Sequence, residues 1–264
     1  MTTADLNGIT IGYDDVGTGR DVLVLVHGHP FDRSMWHPQL TQVADLGWRV
    51  IAADLRGYGE TTVVPGVTPL STFAGDIAGL LDHLGVERFV LGGLSMGGQI
   101  VLECHRLFPA RIRGLVLADT SAQADTPAGR RGRTEMADRL LREGMAGYAA
   151  EVLSKMVAPR NLAEVGEHVS RMMRNASPEG AAAALRGRSE RPDYTDTLGT
   201  VNVPTLVVVG SDDEYTPVAD AEYMADRIPG STLAVIEGAA HMPNLERPDE
   251  FGKALAGLLS EVSR

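Results

Sequence analysis

The chain has 264 residues, 44% hydrophobic and 5% aromatic, enough apolar material for one sizeable core with a smaller attached element, and too much for a disordered chain. Lys and Arg number 24 against 35 Asp and Glu, and the net charge of -11 excludes partners bound by neutralising phosphates, so neither nucleic acid nor anionic membrane is expected. A single cysteine, Cys104, excludes an intrachain disulfide and multi-cysteine zinc or iron-sulfur sites.

In chain order, Met1 to Gly8 is polar and lacks the apolar core of a signal peptide. Ile9 to Tyr13, closed by Gly17-Thr18-Gly19, reads as an antiparallel strand turning into its neighbour. Val22 to His27, Arg49 to Asp54, Phe89 to Gly92, Ile112 to Ala118, Thr205 to Gly210 and Thr232 to Glu237 are short Val, Leu and Ile runs, read as strands buried on both faces. Such runs fall far short of the roughly 20 residues of a membrane span, so the chain reads as soluble and cytoplasmic. Between them lie helical stripes. Phe73, Ile77, Leu80, Leu81 and Leu84 form one that stops at Gly85; Ile100, Val101, Cys104 and Phe108 form the next; Phe251, Leu255, Leu258 and Leu259 form the last.

The alternation breaks between Ser121 and Thr200, where apolar residues keep helical spacing: Met136, Leu140, Leu141 and Met145, then Val165, Val169, Met172 and Met173. The expected fold class is therefore α/β: a mainly parallel twisted sheet with helices on both faces, its core formed by residues 1–121 and 201–264. A helical cap, 122–200, is inserted before the last two strands, over the carboxyl ends where open α/β sheets bind ligands.

The most informative segment runs from Phe89 to Gly98, where a strand leads through Gly93-Leu94-Ser95-Met96-Gly97 into a helix. That context fits a nucleophile elbow: a sharp turn lifts the Ser95 hydroxyl above the sheet edge, and Gly93 and Gly97 permit the close approach. A nucleotide-binding turn fits poorly, because G-x-G-x-x-G spacing and a Walker lysine are both missing. His27-Gly28-His29-Pro30 ends an earlier strand and suits an oxyanion loop, which assigns the two backbone donors to His29 and Met96. The His27 ring reads as shaping that loop; the His29 ring either projects into the pocket or contributes only its main chain.

Asp213 follows a buried strand as Gly210-Ser211-Asp212-Asp213 and is the expected triad acid, with Asp212 and Asp119 as competitors. His241, in the small-residue loop Gly238 to Pro243, is the expected base, and the chain order serine, acid, histidine supports the set. No arginine cluster lies near these loops in the sequence, and the excursion is rich in methionine (Met136, Met145, Met156, Met172, Met173), so small to medium, mostly apolar and neutral substrates are expected.

These motifs, with Asp54-Leu55-Arg56-Gly57-Tyr58-Gly59 and Leu245-Glu246-Arg247-Pro248, resemble the α/β-hydrolase superfamily across nearly the whole core. The chain is similar to its small esterases, 3-oxoadipate enol-lactonases and cofactor-free haloperoxidases or perhydrolases. Glu60-Thr61 and His29 depart from the usual residues there, which bears on substrate preference and leaves the triad alone. The resemblance implies two-step acyl transfer on a carboxylic ester or lactone through an acyl-enzyme, with no metal or organic cofactor. A serine at the elbow argues against the dehalogenases and epoxide hydrolases that carry aspartate there. Three rivals share the scaffold: a carbon-carbon bond hydrolase, a perhydrolase, and a ligand receptor with slow turnover. A small-molecule ester or lactone is the expected partner, and the oligomeric state, homo-oligomer included, stays open.

Overall fold

The computed structural model describes residues 2–263, leaving Met1 and Arg264 outside the described part. Strands β1 (Thr2–Leu6), β2 (Ile9–Val16), β3 (Val22–Val26), β4 (Arg49–Ala53), β5 (Phe89–Leu94), β6 (Ile112–Ala118), β7 (Thr205–Gly210) and β8 (Thr232–Ile236) form one sheet. Their spatial order is β1-β2-β4-β3-β5-β6-β7-β8. β2 is antiparallel to β1 and β4, and every other neighbouring pair is parallel.

The continuous apolar runs of the central strands follow from burial on both faces, with successive side chains alternating between them. Val24 and Val26 face one cluster, closed by α2 (Leu70–His83), α3 (Met96–Leu107) and α9 (Val218–Ala225); Leu23 and Leu25 face another, closed by α1 (His37–Ala44) and α11 (Pro248–Val262). The loop after β4 is tied down by Arg56, which donates two hydrogen bonds to the Asp76 carboxylate at 2.8 and 2.7 Å.

The sheet edges depart from expectation for physical reasons. β1 carries only one buried side chain, Ala4, so its Thr-Thr-Ala-Asp-Leu sequence offers no apolar run to read; its order comes from pairing along the whole of its length with β2. β8 is not doubly buried: with no strand beyond it, Thr232 and Val235 are exposed and only Ile236 is buried.

Between β6 and β7 the chain builds α4 (Pro127–Glu143), α5 (Met145–Met156), α6 (Leu162–Asn175), α7 (Pro178–Ser189) and α8 (Thr195–Leu198). α4 packs against α7, and α5 against α6. The stripe expected from Met136 to Met145 is split, because α4 ends at Glu143 and α5 begins after Gly144. Leu140 and Met145 are buried on separate helices, while Leu141 is 44% exposed. The second stripe holds on α6, where Val169, Met172 and Met173 are buried. Among the described residues, no helix is long and apolar enough to cross a membrane. α10 (Pro243–Glu246) completes the set as a single turn before α11.

Candidate active site

Ser95 stands between β5 and α3 with φ 58° and ψ -117°, a left-handed backbone that a non-glycine residue adopts only when its surroundings impose it. They do so from both sides. The Ser95 N–H donates to the Ala118 carbonyl at 2.9 Å, and its own carbonyl accepts from the Thr120 hydroxyl at 2.7 Å. A Cβ on Gly93 would lie 2.4 Å from the Gly97 carbonyl carbon, and one on Gly97 would lie 2.2 Å from the Val26 carbonyl oxygen, so this turn closes only with glycine at both places. Met96 is the first residue of α3, where the N–H has no intrahelical acceptor and the helix dipole presents its positive end.

The two histidines after β3 do different work. His27 is fully buried and accepts the Leu55 N–H at Nε2, 2.9 Å, which leaves Nδ1–H to donate to the Gly28 carbonyl, also 2.9 Å. Burial pushes its pKa down, and the ring shapes the loop as the sequence implies. The His29 ring does reach the cavity wall. Its Nδ1 lies 2.8 Å from the Tyr58 hydroxyl, and its Nε2 is buried with no protein partner. Burial, then the Arg188 and Arg133 charges, holds its pKa well below the ordinary histidine value, so the ring is neutral.

Asp213 lies just beyond β7, its Oδ2 2.8 Å from His241 Nδ1. The same oxygen accepts from the Thr216 hydroxyl at 2.5 Å, and Oδ1 accepts from the Tyr215 N–H at 2.8 Å. Burial pushes this carboxyl upward, but His241 and these donors outweigh it and hold the pKa below the usual aspartate value. The competitors are placed otherwise. Asp212 is exposed and paired with Arg160 at 3.0 Å. Asp119, at φ 44° past the end of β6, accepts the Gly210 N–H at Oδ1 and buries Oδ2 without a partner. Burial and the neighbouring Asp213 charge raise its pKa well above the carboxylate range. Asp119, Asp213 and His241 each offer an atom to a group spanning no more than 4.8 Å, but of the two carboxylates only Asp213 is stabilised as an anion there.

The His241 loop is held by a residue that motif reading passed over. Glu246, 2% exposed, accepts the N–H of Ala240 (2.9 Å) and Met242 (3.2 Å) at Oε1, and the N–H of Ala158 (2.8 Å) and the Asn161 amide (2.7 Å) at Oε2. One buried carboxylate thus fastens the histidine loop to the segment between α5 and α6. The sequence carries it as the Glu of Leu245-Glu246-Arg247-Pro248, recognised as a motif without a role.

Ser95, His29 and His241 open onto a cavity of about 530 Å³ whose opposite wall comes from the helical excursion. Met136, Tyr148, Val152, Met156 and Leu185 supply its apolar side, so two of the five methionines face it while Met145, Met172 and Met173 are buried in packing. The expectation that no arginine cluster serves the site is overturned. Arg133 of α4, Arg188 of α7 and Arg191 just beyond it line the same cavity, although none is near the triad loops in sequence. Asp125 accepts from Arg133 at 2.5 and 2.9 Å and from Arg191 at 2.6 Å; burial pushes its pKa up, but the two guanidiniums bring it down to about 2.

Residues 23–254 match the alpha/beta hydrolase family, and the chain belongs to it. The protein is an enzyme of that superfamily. It is similar in structure to a thermophilic esterase from Thermogutta terrifontis, solved with malate bound: 42% identity over 99% of this chain and 97% of that one, TM-score 0.94. It is 28% identical to 3-oxoadipate enol-lactonase 2 of Acinetobacter baylyi over 98% of this chain and 94% of that protein. A non-heme chloroperoxidase of Kitasatospora aureofaciens is 31% identical over 91% and 90%.

Proposed function

We propose that the protein is a serine hydrolase that cleaves carboxylic esters or lactones of small to medium size through an acyl-enzyme. The observation that carries this reading is a strained Ser95 opening onto the same cavity as His241, whose Nδ1 is already engaged by Asp213 and whose Nε2 is left for the reaction. Ser95 Oγ attacks the carbonyl carbon while His241 takes its proton at Nε2, and the N–H groups of His29 and Met96 hold the oxyanion. His241 then gives the proton to the leaving alcohol. Water, deprotonated by the same ring, releases the acid and restores Ser95. Asp213, kept anionic, orients His241 and stabilises its protonated form.

Residues 122–200 act in this reading as the cap over a core of 1–121 and 201–264, and the esterase and enol-lactonase relatives support both ester and lactone chemistry. A fluorophosphonate probe is expected to label the wild type and to leave Ser95→Ala unlabelled; labelling that survives Ser95→Ala overturns the assignment. The similarity to a non-heme chloroperoxidase favours one further assay, peracid formation when peroxide replaces water as the acyl acceptor.

A further inference from the structure

Each carboxylate on the cavity wall is already engaged: Asp125 by Arg133 and Arg191, and Glu151 by Arg139 at 2.8 Å. Arg188 is different. Its Nε donates to the Gln99 side chain at 2.7 Å, and no carboxylate among the described residues lies within ion-pair distance of its guanidinium. Gln99 is fully buried and sits one turn into α3, its N–H bonded to the Ser95 carbonyl at 3.2 Å, so this guanidinium is held by the same helix that the nucleophile starts. Both terminal nitrogens remain free. Burial, then repulsion from Arg133 and Arg191, pushes the Arg188 pKa well down, and the nearby Asp125 charge, already shared with those two arginines, offsets this only in part.

His29 lines the same cavity, but its Nε2 is buried away from it, which leaves Arg188 as the unsatisfied group facing the space. An ester carbonyl or an alcohol cannot neutralise a guanidinium; a carboxylate can, and its two oxygens match the planar fork. From the serine-hydrolase reading, on which this rests, the geometry points to Arg188 as a specificity-determining residue that binds a free carboxylate of the substrate. The substrate class is then a monoester or lactone of a dicarboxylic acid. Its short apolar chain lies along Met136, Val152, Met156 and Leu185, with the reacting carbonyl at Ser95. The earlier expectation of a neutral substrate reverses because α7 is far from the triad in sequence and adjacent to it in space.

The test compares mono-p-nitrophenyl glutarate with p-nitrophenyl pentanoate, which have acyl chains of equal length and differ in the terminal carboxylate. The wild type is expected to favour the glutarate ester in kcat/KM, and the glutarate-to-pentanoate ratio is expected to fall by roughly 10- to 100-fold in Arg188→Met, the range for a lost hydrogen bond to a charged group. Arg188→Lys should fall between, since it keeps the charge and loses the fork. Free glutarate should compete with pentanoate ester hydrolysis by the wild type, less so as salt rises. Should Arg188→Met fail to fold, the wild-type ratio, the competition and Arg188→Lys still decide. Equal treatment of the two esters by the wild type, an unchanged ratio in the variants, or no competition by glutarate overturns the inference. If pentanoate hydrolysis proves independent of Ser95, it is the serine-hydrolase reading that fails.

Discussion

The sheet core and the helical insertion proposed above as its cap contribute to one cavity by opposite means. In the core, the groups proposed to react are held through main-chain hydrogen bonds: Ser95 by the segment at the end of β6, through the Ala118 carbonyl and the Thr120 hydroxyl, the His241 loop by the Glu246 carboxylate, and Asp213 by main-chain N–H groups of its own loop. In the cap, the cavity is lined by long side chains carried on helices, methionines and arginines among them. On the proposed reading, the contrast assigns geometry of reaction to the core and choice of substrate to the cap. It also orders the consequences of mutation, since groups that act together in bond-making lose far more than groups that share in binding.

The largest effect is expected at the core. Ser95→Ala and His241→Ala should each lower kcat by about a million-fold while leaving the circular dichroism spectrum intact, because these groups act as one unit. A variant that keeps turnover at a comparable rate would remove the distinction between the two regions. Next, Asp213→Asn should cost roughly 10⁴-fold in kcat through lost orientation of His241 and lost stabilisation of its protonated form. Asp119→Asn should cost less than Asp213→Asn: the amide oxygen can still accept the Gly210 N–H, and the carboxyl it replaces is held neutral. If Asp119→Asn is the more damaging of the two, the anion that serves His241 lies after β6 instead of β7.

Glu246 tests the seam between the regions. Glu246→Gln puts an amide NH₂ against N–H donors now served by carboxylate oxygens, and should cost roughly 1–3 kcal/mol of stability by urea titration, with a fall in kcat as the His241 loop loosens. Lost stability without any change in kcat would show that the loop is positioned by something else.

The core was legible because its signals are local. Gly93 to Gly97 must be glycine-flanked to close the turn, and the apolar runs of β3, β5 and β7 announce burial on both faces within a few residues. The edges were less so, since β1 owes its order to pairing with β2 and β8 has no neighbour to bury its outer side. The electrostatics of the cap were not legible at all. Arg188 follows a run of alanines and looks like a helix-surface residue until α7 is laid against the core, and Asp125, Arg133 and Arg191 become one cluster only through the packing of α4 on α7.

That cluster gives the cap a pH signature. The Asp125 carboxyl is depressed to about 2 in the folded protein against roughly 3.9 unfolded, so its contribution is present above pH 4 and is lost as pH falls from there toward 2. Asp125→Asn should therefore be about 1–2 kcal/mol less stable than wild type at pH 7, a figure discounted for partial exposure, and the gap should narrow as denaturation is followed to lower pH. A gap that does not change with pH would mean that Asn disturbs packing and not charge.

The smallest effect belongs to the apolar wall. If Met136, Val152, Met156 and Leu185 bury the substrate chain, each added methylene in a p-nitrophenyl ester series removes apolar surface from water worth about 0.8 kcal/mol. The gain should appear as roughly a three- to fourfold rise in kcat/KM per methylene, ending when the chain outgrows the cavity. Met156→Ala should then shift the best chain length upward, because shortening that side chain lengthens the space on the cap side while the core groups stay where they are. Such a shift, with Ser95 labelling by fluorophosphonate unchanged in rate, separates the two regions cleanly. A response to chain length that is flat in both proteins would place the substrate chain outside the cap wall and leave the cap without a share in binding it.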